Sequence, residues 1–265
     1  MAGPRAFPSW RRIAPTMVTL AALFFGFASI LAAIESVRRG DLSLVPRAAQ
    51  HVILALILDG LDGNLARWLH GSTAFGAELD TFVDITAFGI APAVLLYTLM
   101  YYGGSSFWGT ALPALVIFSG ALRMSKFRIV DPLRGQGGFI GLPITVNATW
   151  IAMGAFADQI FYPNRPVLIT GLPGVFFLGM VGVMLVLQLS NLRYPKPSNK
   201  VKFFAPAGLV VVLLWFLSET YAAVIAALLV VVCFFYVLLG PTVHRRTTER
   251  RAFPLGSHQN EGHGR

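Results

Sequence analysis

The stretch from Asp59 to Asp84, DGLDGNLARWLHGSTAFGAELDTFVD, holds Asp59, Asp62, Glu78, Asp80 and Asp84, out of only 12 acidic residues in a chain of 265. Its flanks are apolar enough to lie in a membrane, where an ionisable group near a helix centre costs roughly 2.5–3.5 kcal/mol on insertion scales. Asp59 and Asp62 are spaced i, i+3, and Asp80 and Asp84 are spaced i, i+4, so on two helices each pair shares one face. Four carboxylates turned toward one another repel unless cations lie between them. All-oxygen ligands of this kind suit Mg²⁺, Mn²⁺ or Ca²⁺ rather than zinc or copper. Gly63 and Gly76 leave room beside the carboxylates for a bulky ligand. Arg67, two turns beyond Asp59, is a natural phosphate partner. Carboxylates, glycines and an arginine in this order read as a site for a phosphate ester. The plainer alternative is that the acids pair with arginines to join helices, but that needs about one arginine per carboxylate, and the stretch contains only Arg67.

The residues Asp59, Asp62-Gly63, Ala66-Arg67, Gly76, Asp80 and Asp84 match the pattern D-x2-D-G-x2-A-R-x8-G-x3-D-x3-D at every fixed position. In this the chain resembles the CDP-alcohol phosphatidyltransferase family. FGAELDTFVDITAFGIAPA (Phe75 to Ala93), GALR (Gly120 to Arg123), GFIGLP (Gly138 to Pro143) and the early IAPTMVTL are similar to the bacterial membrane-embedded phosphatidylserine synthases of that family, over residues 13–160. There are departures. The usual LARFN after GALR is replaced by Met124-Ser125-Lys126-Phe127-Arg128, the usual asparagine after the early proline is Thr16, and the usual second proline after GLP is Thr145. These bear on the acceptor alcohol rather than on the family.

The resemblance implies that an alcohol attacks the lipid-side phosphorus of CDP-diacylglycerol and that CMP leaves, with L-serine as the acceptor and phosphatidylserine as the product. It implies two divalent cations, Mg²⁺ or Mn²⁺, and a homodimer. Carried over residue by residue, Asp59, Asp62 and Asp80 are metal ligands. Asp84 is the general base and a further metal contact. Gly63, Ala66, Arg67 and Gly76 form the CDP site. Arg123 in GALR is expected to hold the substrate phosphate or the serine carboxylate. Lys126, Arg128 and Arg134 are weaker candidates for the same acceptor or phosphate-binding role, since cations at a helix end are often only membrane anchors. Glu78 lies about 160° round the helix from Asp80 and is left out of the ligand set. Asp131 has no assigned role, and His51 and His70 read as interfacial. Other acceptors within the family (glycerol 3-phosphate, inositol phosphate or inositol) stay open. A cation transporter using the carboxylates as an ion path is the reading from another class. It would put acids deeper in several helices and would show broken repeats; neither is seen.

The elements that must position these residues are helices in a bilayer. Hydrophobic residues make up 55% of the chain and charged residues 12%, with mean hydropathy +0.67; a soluble domain carries about 25% charged residues. The fold expected is all-α, a polytopic membrane helix bundle of about eight transmembrane helices. Residues 1–12 form a basic N-terminal segment, 13–240 the membrane domain and 241–265 a polar, disordered tail. The spans are placed at Ile13–Ile34, Ala49–Leu69, Phe75–Tyr101, Phe107–Phe127, Gly141–Phe161, Thr170–Leu192, Val201–Ser218 and Tyr221–Gly240. His70 to Thr73 is a tight turn that returns both carboxylate pairs to one membrane depth. Most of the 21 Lys and Arg residues fall on the side of this turn and of both termini. The positive-inside rule then makes both termini cytoplasmic, in a cell (inner) membrane with the active site facing the cytoplasm. The net charge of +9 is assigned to anionic lipid and an anionic liponucleotide, not to nucleic acid. The single Cys233 has no partner for an internal disulfide and reads as a small packed residue. His244, His258 and His263 are too scattered for a metal site.

Overall fold

The structure, a computed structural model, describes residues 10–104, 107–130, 139–195, 215 and 218–252. Apart from two-residue strands and one 3-10 turn, its regular elements are helical: α1 (Trp10–Arg39), α2 (Val45–Trp68), α3 (Ala74–Val83), a π-helical segment (Asp84–Ile90), α4 (Ala91–Tyr102), α5 (Phe107–Val130), α6 (Ile144–Phe161), α7 (Gly171–Leu189) and α8 (Glu219–Ala252). α3, the π segment and α4 form one continuous rod, Ala74–Tyr102. Among the described residues, five helices are long and apolar enough to cross a membrane: Trp10–Arg39, Ala74–Tyr102, Phe107–Lys126, Gly171–Leu189 and Thr220–Thr242. The chain is thus an all-α membrane bundle. α6 lies inside the bundle, with most of its residues buried, and α2 packs along α1. The expected span Val201–Ser218 lies outside the described residues except for Trp215 and Ser218.

Several boundaries differ from the sequence reading, each for a local reason. α1 extends beyond Ile34 because Glu35, Arg38 and Arg39 favour its last turn: the two arginines donate to Glu35 at 2.6 and 2.9 Å. It stops where Gly40 adopts a φ of +76°, with Asp41 N–H bonded to Ser36 O and Gly40 N–H to Val37 O. That is a left-handed cap that satisfies carbonyls otherwise left without partners. The next helix starts at Val45, with Pro46 in its first turn, where a missing N–H costs nothing. The fifth span begins at Ile144 rather than Gly141. Gly141 has a φ of +72° and cannot be helical, and Phe139–Ile140 (β1) instead pairs antiparallel with Arg193–Tyr194 (β2). That pairing also ends α7 at Leu189 rather than Leu192. The last helix runs on to Ala252, so residues 241–252 are helical where a disordered tail was expected. The run after Pro241 contains Arg, Glu and Ala, good helix formers that outweigh its polarity. Residues 1–9 and 253–265 of the terminal segments lie outside the described set.

The helices are held by close packing of small residues, the usual means where lipid tails compete equally for apolar contact. α1 lies along α2, α6 is buried on nearly all sides, and the π segment packs against α1, α5 and α6. A Cβ placed on Gly26 of α1 would come within 2.8 Å of the Ala87 Cβ in the π segment. A Cβ on Gly120 of α5 would come within 2.7 Å of Ile144 Cδ1. Gly26→Val is therefore expected to lower stability by about 1–3 kcal/mol. Gly179→Val, at a position with nothing within 4 Å, is expected to be near neutral. Unfolding of both variants in detergent, followed by heating, tests this.

Candidate active site

The site is built on the turn between α2 and α3, and both ends of that turn are capped. His70 takes a φ of +53° after α2, and Gly71 N–H donates to Ala66 O at 2.9 Å. Thr73 then caps α3: its side-chain oxygen accepts the Gly76 N–H at 2.9 Å. Gly71 is wedged under the start of α1, where any Cβ would overlap the Arg11 carbonyl oxygen. The turn therefore has little freedom; α3 lies against α1, and side chains of α2 and α3 converge.

This brings Asp59, Asp62 and Asp80 together. Each offers a carboxylate oxygen, and these oxygens all lie within 4.8 Å of one another. Asp59 and Asp80 are close enough to hydrogen-bond, a contact two bare carboxylates cannot make without a proton or a cation between them. Three converging carboxylates fit a hard divalent cation, and they fit a softer metal poorly. Glu78 is exposed and outside the cluster, as its helical angle requires.

Asp84 is not part of that convergence. It opens the π segment one turn further along, and its charged neighbours include Asp59, Asp80, Asp62 and, of opposite sign, Arg123. The π segment has an identifiable cause. Pro92, in the first turn of α4, has no N–H, and its ring crowds the preceding turn. The helix widens, and Ala91 N–H reaches back five residues to Thr86 O.

Arg123 is only 6% exposed, its Nε has no partner, and Nη1 contacts Met124 Sδ at 3.5 Å. The sequence comparison of acids with arginines found only Arg67 nearby; the fold supplies a second arginine from α5. Arg67 itself is exposed and donates to Asn64 Oδ1 at 3.0 Å. A Cβ on Gly63 would meet nothing within 4 Å, and one on Gly76 only the Thr73 hydroxyl at 3.2 Å. The two glycines thus leave the space beside the carboxylates open, and Ala66 is half-buried.

Lys126 is placed differently from the other candidates. Its ammonium donates to Leu189 O at 2.8 Å, Ser190 O at 3.4 Å and Asn191 Oδ1 at 2.8 Å. Its three protons are used in tying α5 to the end of α7. Only the backbone of Arg128 is described, and Asp131 and Arg134 lie outside the described residues. Two residues near the site escaped the sequence reading. Thr19 of α1 hydrogen-bonds Asp62, and Tyr236 of α8 lies within electrostatic reach of Arg123. Neither carries a local signal, since each meets its partner only through packing of distant helices.

Residues 12–235 match the model of the CDP-alcohol phosphatidyltransferase family. The chain belongs to that family. This transferase is 33% identical over 209 residues to the CDP-diacylglycerol–serine O-phosphatidyltransferase of Helicobacter pylori (strain J99), covering 78% of this chain and 81% of that protein. It is 33% identical over 164 residues to the protein of the same name from Methanocaldococcus jannaschii, 61% of this chain and 70% of the other. The archaetidylserine synthase of Methanothermobacter thermautotrophicus is 29% identical over 187 residues, 69% of each chain. The transferase is accordingly a membrane enzyme, and its carboxylate cluster is where a divalent cation would be held.

Replacing Asp80 with Asn separates two effects. It removes a ligand, so binding of Mn²⁺, read by electron paramagnetic resonance, and turnover are expected to fall together. It also removes a like charge, so the metal-free protein in EDTA is expected to unfold at a temperature no lower than wild type.

Proposed function

We propose that the protein transfers the phosphatidyl group of CDP-diacylglycerol to the hydroxyl of L-serine, giving phosphatidylserine and CMP. The observation that supports this is the convergence of Asp59, Asp62 and Asp80, with Asp84 and the buried Arg123 within electrostatic reach. The names of the curated relatives support the acceptor. Asp59, Asp62 and Asp80 would hold the divalent cations, two Mg²⁺ or Mn²⁺, with Asp84 a further contact. When bound, such ions neutralise the pyrophosphate and stabilise the departing phosphate.

The residues of the chain do the rest. Gly63 and Gly76 give the cytidine diphosphate room, Ala66 lines its site and Arg67 offers it a guanidinium. Asp84 accepts the proton of the serine hydroxyl as the oxygen–phosphorus bond forms and the bond to CMP breaks. A carboxylate is a weak base toward an alcohol and needs the hydroxyl held within hydrogen-bond reach. Arg123 holds the serine carboxylate, or the substrate phosphate, beside Asp84. Arg128 and Arg134 are further candidates to bind the acceptor or phosphate, and Lys126 supports the pocket from the α5–α7 seam. With the eight spans expected from the sequence and the excess of Lys and Arg on one side, both termini and the site would face the cytoplasm, and the enzyme would work as a homodimer.

A phosphorylated acceptor such as glycerol 3-phosphate would need further cations beside Asp84. Among the described residues Arg123 is the cation that acts on Asp84, while Lys126 is already committed. This favours a small zwitterionic acceptor.

The decisive assay is CMP release from CDP-diacylglycerol with Mg²⁺ or Mn²⁺, offering serine, glycerol 3-phosphate, inositol 1-phosphate and inositol separately. Release with serine alone is expected, with phosphatidylserine as the lipid product. Release with a phosphorylated alcohol alone would move the assignment to another member of the family. Asp84→Asn is expected to lower turnover by about 10²–10⁴-fold while liponucleotide binding persists. Normal turnover by that variant would remove Asp84 as the base.

A further inference from the structure

We infer that Thr19, on α1, is a positioning residue for the cation site: its hydroxyl orients the Asp62 carboxylate before any ion arrives. The inference rests on the divalent-cation reading of the aspartate cluster.

Thr19 is 5% exposed and Asp62 is also 5% exposed, so neither side chain is free to reorient in water. Thr19 Oγ1 lies 2.5 Å from Asp62 Oδ2, across the α1–α2 contact and 43 residues away in sequence. That is the length of a charge-assisted O–H···O⁻ bond. The hydroxyl is also 3.0 Å from the Pro15 carbonyl oxygen, one turn back on its own helix. A hydroxyl has one proton to donate. The Pro15 carbonyl already accepts the backbone N–H of residue 19 within α1, so it does not need the hydroxyl, whereas Asp62 does. The proton therefore belongs to the carboxylate.

A carboxylate gripped at one oxygen has its torsion fixed. Without that grip, Asp62 would swing away from Asp59 and Asp80, which repel it until a cation is present. Thr19 thus holds the third ligand in the cluster against this repulsion. A β-branched side chain suits the task, because its χ1 is restricted in a helix and the hydroxyl direction is set by the backbone. Groups that orient a metal ligand from behind typically change metal affinity by 10–100-fold when removed.

The test compares Thr19→Val, which keeps the shape and removes the donor, with Thr19→Ser, which keeps the donor. Mn²⁺ is titrated into metal-stripped protein and the free ion is read by electron paramagnetic resonance, with the cation dependence of CMP release measured alongside. Thr19→Val is expected to weaken Mn²⁺ binding about tenfold or more, with turnover largely recovered at saturating Mn²⁺. Thr19→Ser is expected to bind like wild type. In an Asp62→Asn background the valine is expected to have little further effect, because the group it orients has lost its charge. Where the valine is not tolerated, Thr19→Ala makes the same comparison. Unchanged Mn²⁺ affinity in the valine variant would overturn the inference and leave the cation site standing. Equal loss in the serine and valine variants would show that packing, not the hydroxyl, is what matters, and would also overturn it. Wild-type protein that binds no Mn²⁺ would overturn the cation reading, and the role of Thr19 with it.

Discussion

Mutual repulsion of carboxylates gathered at one place is the constraint on which this structure depends. Three carboxylate oxygens lie within 4.8 Å of one another. At the effective dielectric of a protein interior, each such pair of full charges opposes assembly by about 3 kcal/mol. A bundle that folds around such a cluster must hold it by other means until cations or protons offset the charge. The holding elements are all nearby: the His70 and Thr73 caps at the two ends of the turn, Gly71 pressed beneath α1, and the Thr19 hydroxyl on Asp62. Each removes a freedom that the carboxylates would otherwise use to separate. The same strain makes the cluster a strong attractor for a divalent cation, so what is unfavourable in the free protein favours binding.

The second organising feature is the widened helix after Val83. Pro92 prevents a regular α-helical turn, and the π segment that results carries Asp84 at its start and Ala87 and Gly89 along its packed face. Gly26 on α1 and Gly120 with Ile144 on the other side fit against those small residues. This close packing is what brings α5 near enough for Arg123 to act on Asp84. A Cβ at Gly120 would first displace the Ile144 Cδ1 methyl, with the Gly89 backbone at ordinary contact distance behind it, 3.9 Å.

The far ends of the helices are secured separately. Asp158 of α6 is 3% exposed; it accepts the Leu168 N–H at 3.0 Å and the Gln159 side-chain amide at 2.9 Å. Asn164 in turn accepts the Leu42 N–H at 3.0 Å, fastening the α1–α2 connection to the turn after α6. In that connection, hydrogen bonds from the Ser43 side chain and backbone hold the Asp41 carboxyl below its usual pKa. Here a buried carboxylate does structural work because backbone N–H groups satisfy it. At the active site three carboxylates lie together, and Asp62 with its Thr19 bond has only part of that support.

The sequence by itself determined the class of fold, the family and the identity of the aspartates. The fold class and the pairing of the aspartates depend on local quantities, namely apolar length, i, i+3 and i, i+4 spacing and a short turn; the family rests on the resemblance of the Asp59–Asp84 motif. It also placed Gly63 and Gly76 beside open space, because a missing side chain is visible in the sequence. What the tertiary structure decided is which distant residues complete the site. Arg123 comes within electrostatic reach of Asp84, Thr19 hydrogen-bonds Asp62 and Lys126 turns to the end of α7, each through packing of helices far apart in the chain. The π segment and the strand pairing that delays α6 to Ile144 were equally out of reach. Both arise where a proline or a left-handed glycine meets packing from a neighbouring helix, and local pattern does not encode that neighbour.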